Sequence, residues 1–146
     1  MDISGLYWRK SALNAGKCPP GLLALRNDRL TFTTTSNIEF DVPVADVTGK
    51  LSVWGSLVLT IDSRRYVFLT TVGQLAPAFS KTQQQAISAA TKAKSLRTLL
   101  EWPALLTSAG AQVTAPARNY RPWLLGGLMV LLAVAAITLI VINGGI

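Results

Sequence analysis

Gly21-Leu-Leu-Ala-Leu-Arg-Asn-Asp-Arg-Leu-Thr-Phe-Thr33 sets the architecture of most of this chain. Two apolar runs flank the polar pair Asn27-Asp28, and a two-residue polar turn between such runs signals a β-hairpin. The short period continues downstream. Ile38, Phe40 and Val42 point to one face, Glu39 and Asp41 to the other. Residues 48–54 read as a strand with Leu51 and Val53 inward, broken by Gly55. Residues 56–62 place Leu57, Leu59 and Ile61 on one face, and Ser63-Arg64 turns the chain into residues 65–70. Six short antiparallel strands in about 50 residues predict a small barrel or orthogonal sandwich.

The period then changes. Ser80-Lys-Thr-Gln83 has the spacing of a capping box, Ser at the N-cap and Gln at N3. Ala86, Ala90, Ala93, Leu96 and Leu100 follow at helical spacing, predicting a helix from Ser80 to Trp102 that Pro103 ends or kinks. Residues 104–109 suit a further short helical turn. Residues 110–122 hold prolines, a glycine and small polar side chains and read as a linker.

A compact antiparallel sheet capped by a C-terminal helix resembles the pleckstrin-homology (PH) superfold in its GRAM and bacterial PH-like versions. The resemblance covers residues 21–102 and rests on the hairpin quoted above and on Ile38-Glu-Phe-Asp-Val-Pro-Val-Ala-Asp-Val47. That superfold has seven strands, one more than the six read here. The seventh is expected in residues 3–9, which would alter the strand order, or in a merged pair. The fold expected is therefore mainly β with a capping helix, as a PH-like domain over residues 1–109.

Residues 123–142, Trp-Leu-Leu-Gly-Gly-Leu-Met-Val-Leu-Leu-Ala-Val-Ala-Ala-Ile-Thr-Leu-Ile-Val-Ile, contain no charge. About 20 helical residues cross a hydrocarbon core of roughly 30 Å, so a single transmembrane helix is expected here. Arg118 and Arg121 precede it, and residues 143–146 carry no charged side chain. The positive-inside rule then puts the N-terminal domain on the cytoplasmic side of the cell membrane. Tyr120 and Trp123 fall at headgroup level. Met-Asp-Ile-Ser-Gly-Leu-Tyr-Trp-Arg-Lys10 lacks an apolar signal core, so a tail-anchored, single-pass protein is predicted. Gly126, Gly127, Ala133 and Ala136 permit close helix packing, without a strict small-xxx-small stripe.

The 146 residues include no histidine and one cysteine, Cys18, so an intrachain disulfide is excluded. Without histidine, with no paired carboxylates and no metal-ligand spacing, acid–base and metal-assisted catalysis have no candidates. Neither an enzyme nor a cofactor is expected. The net charge of +7 suits nucleic acid or an anionic leaflet, and the apolar run favours the leaflet. No nucleic-acid or small-molecule partner is predicted.

The surface candidates are basic. Arg26 and Arg29 flank a hairpin turn that matches the first hairpin of the PH fold, where the resemblance implies inositol-phosphate contacts, but a solvated rim is the expected role of these charges. Lys92, Lys94 and Arg97 lie on the helix leading toward the membrane, where each cation is worth about 1 kcal/mol near an anionic surface. Trp102 is a candidate for partner or interface contact, set against core packing for at least two of Trp8, Trp54 and Trp102. The layout is similar to small single-span accessory subunits of the actinobacterial cytochrome bcc–aa3 oxidase supercomplex. The resemblance implies a non-catalytic accessory or assembly subunit contacting membrane lipids and integral membrane subunits. The competing expectation is a stand-alone PH-like protein that binds anionic lipid.

Overall fold

The computed structural model describes residues 1–10, 18–70 and 77–116. Met1–Ala115 form one compact unit, and a second begins at Pro116. Eight strands make one sheet: β1 Asp2–Trp8, β2 Pro20–Arg26, β3 Arg29–Thr34, β4 Ile38–Pro43, β5 Thr48–Leu51, β6 Leu57–Ile61, β7 Arg64–Leu69 and β8 Gln112–Thr114. Two α-helices, α1 Lys81–Lys92 and α2 Trp102–Ser108, lie between β7 and β8. The strand order is β4-β3-β2-β1-β7-β6-β5-β8, antiparallel throughout except for the parallel pair β5–β8.

All six strands read from the alternating pattern are present. The additional N-terminal strand is β1, and it does alter the order, because it sits at the centre between β2 and β7. The quoted hairpin is therefore the second, not the first. Its turn is tight, with Asn27 and Asp28 both in the left-handed region (φ 49° and 57°) that Asn and Asp tolerate.

The sheet curls on itself. β4 and β7 are four strand positions apart, about 19 Å in a flat sheet at 4.8 Å per strand. Yet the Phe40 and Tyr66 rings are 4.9 Å apart, edge to face. The concave side encloses a core of Leu6, Leu23, Phe32, Phe40, Leu57, Leu59 and Phe68, closed by Leu99, Trp102 and Leu106 from the α2 region. Each such leucine or phenylalanine contributes about 1.5–3 kcal/mol on full burial.

β1 is amphipathic in both directions. Ser4, Leu6 and Trp8 face the core, while Gly5 and Tyr7 meet the chain around α1 on the outer side. The Tyr7 ring lies 5.2 Å from that of Phe79. A Cβ on Gly5 would come within 2.7 Å of Ile87 Cδ1, so the missing side chain is the seat for α1. The predicted capping box is formed. Gln83 N–H donates to Ser80 Oγ at 3.3 Å, and Ser80 N–H donates to Gln83 Oε1 at 2.9 Å. The amide group of buried Gln83 also donates to Pro20 O at 3.2 Å, fastening the helix start to β2.

The helix from Ser80 does not reach Trp102. It ends at Lys92, and Lys94 turns left-handed (φ 55°) while Ser95 N–H donates back to Ala90 O. The chain then becomes extended. Ile3 N–H donates to Ser95 O at 2.9 Å, and Arg97 N–H donates to Ile3 O at 2.8 Å. β1 meets β7 only at Tyr7 and Trp8, so the edge of β1 at Ile3 has open hydrogen-bonding groups that residues 95–97 satisfy. Ala93, Leu96 and Leu100, expected on the buried helical stripe, are exposed as a result. Pro103 starts α2 rather than ending its predecessor, since the first helical turn needs no N–H from it.

Three other expectations shift. Val53 and Trp54 leave the strand and are exposed, because β5 stops at Leu51. Ile38 is exposed because the register slips between Phe32 and Thr33, while Phe40 stays buried. Residues 112–114, within the expected linker, form β8. Gly110 (φ 102°) makes the turn out of α2, and Gln112 N–H then donates to Val47 O at 3.1 Å. Among the described residues no helix is long and apolar enough to cross a membrane. The run 123–142, its flank Arg118, Tyr120, Arg121 and Trp123, and the small residues Gly126, Gly127, Ala133 and Ala136 lie outside the described residues.

Candidate functional site

Most of the basic candidates gather around the start of β1. Asp2 pairs with Leu25, beside Arg26, on one edge, and Ile3 pairs with Leu96, beside Arg97, on the other. Lys92 and Lys94 close α1 just before that pairing. Two of the cations are committed within the protein. Arg29 Nε donates to Asp41 Oδ1 at 2.9 Å, and its Nη2 donates to Asp41 O. Arg97 Nε donates to Asp2 Oδ1 at 2.6 Å, with both side chains partly buried. Arg26, Lys92 and Lys94 are exposed. Asp2, Asp28 and Asp41 lie among these cations, so the rim mixes both signs rather than forming a single-sign field.

Arg26 and Arg29 flank the β2–β3 turn and not the turn that follows β1. Arg9 and Lys10 leave the end of β1 instead, where the first hairpin loop begins, with the Lys10 ammonium 4.4 Å above the Trp8 ring.

Trp102 is not available to a partner. It is fully buried, and its indole N–H donates to Ser4 Oγ at 2.7 Å. The Ser4 hydroxyl in turn donates to Arg97 O. A buried indole N–H usually finds an acceptor, and Ser4 supplies one to Trp102 from the core face of β1. Trp8 is buried as well, so two of the three described tryptophans serve the core.

Trp54 is the exception, with 90% of its surface exposed. It sits in the β5–β6 loop, which is braced from within. Ser52 N–H donates to Ser56 O at 2.8 Å, Gly55 N–H donates to Ser52 O at 3.0 Å, and the two serine hydroxyls lie 2.7 Å apart. Gly55 has φ 77°, which a side chain would resist. The loop thus holds a large aromatic ring outward, with half-exposed Val53 beside it. Nothing in the alternating pattern marks this residue, and its signal is the small polar frame Ser52…Gly55-Ser56.

No protein-family model matches the chain, and no curated protein or solved structure matches it. The chemistry must be read from its own residues. The described residues include open clefts. One lies between α2 and β8, lined by Pro103, Ala104, Val113 and Ala115. Another lies by the β3–β4 turn, lined by Lys10, Thr34, Asn37, Glu39 and Pro77. No cluster of three His, Cys, Asp or Glu suited to a metal occurs among the described residues. Glu101 has a perturbed acidity. The Thr98 backbone N–H and then its hydroxyl, donating at 2.6 and 2.8 Å, hold its carboxyl below the usual range, and Arg97 adds to this. That bond caps the turn before α2 and has the character of a structural device.

Proposed function

We propose that this chain is a non-catalytic single-span membrane protein whose β-rich, PH-like domain serves as an accessory or assembly module for a larger membrane complex. One observation carries the reading. The last strand, β8, is bound into the sheet and delivers the chain at Thr114, nine residues before the charge-free run that starts at Trp123. A folded domain placed so close to an apolar run of membrane-spanning length is held near the bilayer surface. There it meets the exposed faces of integral membrane subunits. Arg118 and Arg121 favour the cytoplasmic side for the domain. The PH-like description draws support from the two antiparallel meanders, β1–β4 and β5–β7, joined through β1 and β7 and covered by α2.

The complex implied by the resemblance is a respiratory oxidase assembly of the bcc–aa3 type. Purification of the tagged full chain in mild detergent, with mass spectrometry of what accompanies it, tests the reading. Stoichiometric recovery with integral membrane subunits is expected, and oxidase subunits among them would support the specific complex. Recovery of the protein alone overturns the subunit reading.

A further inference from the structure

We infer that the β5–β6 loop, with Trp54 at its tip and Val53 beside it, is a lipid-facing contact that seats the domain on the bilayer interface. The inference rests on the single-span reading above and adds to it the face of the domain that meets lipid.

β5 and β8 are adjacent and parallel, with Lys50 opposite Thr114. Both strands therefore leave the sheet at the same end. β5 continues into the loop that carries Trp54, and β8 continues toward Trp123. An extended chain advances at most about 3.5 Å per residue, so Trp123 lies within roughly 30 Å of Thr114. Trp54 lies only four residues beyond Lys50, on the same sheet edge. The chain that leads to residues 123–142 therefore leaves the sheet at the same end as the loop that carries Trp54.

The surface chemistry at that end matches a bilayer interface. An exposed indole carries an apolar body and one polar N–H, the combination that favours headgroup depth. Val53 adds apolar area, and exposed Lys50 offers a cation on a long stem that reaches anionic headgroups. The carboxylates nearest in sequence, Asp46 and Asp62, lie at the opposite ends of β5 and β6, where they oppose no approach to an anionic leaflet. The apolar cleft of Pro103, Ala104, Val113 and Ala115 flanks the exit beside β8. The braced loop also lowers the conformational cost of insertion, since Trp54 is already held outward.

The test uses the full chain reconstituted in vesicles of phosphatidylcholine and phosphatidylglycerol, with and without bromine on the acyl chains. The emission of Trp54 is isolated as the difference between the natural protein and Trp54→Phe. Arg65→Trp in the Trp54→Phe background places an indole at the other end of the β6–β7 hairpin as a control. The expected result is that brominated lipid removes at least about twice as much Trp54 emission as emission from position 65, as for an indole at the interface. Equal, weak quenching at both positions in a chain that resists alkaline extraction overturns the inference and leaves the single-span reading intact. Extraction of the chain by alkali overturns the single-span reading and this inference with it. Trp54 quenching that is absent until a co-purified membrane subunit is removed also overturns it, because the loop then contacts protein.

Discussion

The indole N–H of Trp102 donates to the hydroxyl of Ser4 at 2.7 Å, linking residues 98 apart in the chain across the core. The same hydroxyl donates to Arg97 O, so one serine serves two groups of the segment 97–102. Ser4→Ala should therefore cost about 1–3 kcal/mol, chiefly because the buried Trp102 N–H loses its acceptor. Trp102→Phe adds a cavity term to the lost bond. The double variant should be less destabilised than the sum of the two by about 1 kcal/mol. Urea unfolding of the detergent-solubilised chain measures this, and strict additivity would remove the proposed coupling.

Gly49 and Gly5 should respond differently to alanine. A Cβ on Gly49 would lie 2.4 Å from Val58 O, a backbone atom fixed by the β5–β6 ladder. On Gly5 the closest atom is Ile87 Cδ1, the end of a flexible side chain. Gly49→Ala is expected to destabilise by about 2–3 kcal/mol and Gly5→Ala by about 1 kcal/mol. Thermal unfolding of the two variants orders them, and a reversed order would count against this account of the β5–β6 contact.

Gln83 does two jobs, capping α1 and binding Pro20 O. Gln83→Ala is expected to cost about 1–3 kcal/mol. Amide exchange should rise in the first turn of α1 and at the start of β2 together. Faster exchange in the helix alone would show that the Pro20 bond contributes nothing.

Acid should loosen the turn before α2. The folded protein holds Glu101 below the usual carboxylate range, so its bond to Thr98 is present above that range. The contribution is lost as pH falls through the lowered folded value, where the carboxyl takes up a proton. The group is fully exposed, so the effect is small. Glu101→Gln should lower stability slightly near neutrality and flatten the acid limb of a stability-against-pH curve, the two curves converging at low pH. An unchanged acid limb would refute the assignment.

The sheet was legible in the sequence wherever one face met the core and the other met water. Leu57, Leu59 and Ile61, and the Asn27-Asp28 turn, needed only local pattern. The capping box at Ser80 was equally local. Less could be read where distant segments decide the outcome. The edge of β1 at Ile3 captures residues 95–97 and cuts short a helix that alanine-rich composition favours. β8 has three residues and exists through its pairing with β5, so Pro, Gly and small polar neighbours gave it the appearance of a linker. The candidate site followed the same division. The charges of Arg26, Arg29 and Arg97 were visible, but the pairing of Arg29 with Asp41 and of Arg97 with Asp2 depends on tertiary placement. Trp54 and Trp102 look alike in the sequence and reverse roles in the fold, one outward and one enclosed.

The parallel pairing of β8 with β5 also fixes how the domain bears mechanical load. A pull on the chain beyond Thr114 runs along the axis of β8. It slides that strand against its neighbour instead of peeling it away. The slanted, evenly spaced bonds of a parallel ladder then share the force. Their number is small, with three residues of β8 in register, so the joint between β8 and β5 is short. The first event under tension would be release of that joint, baring the edge of β5 while the Trp102–Ser4 lock stays closed.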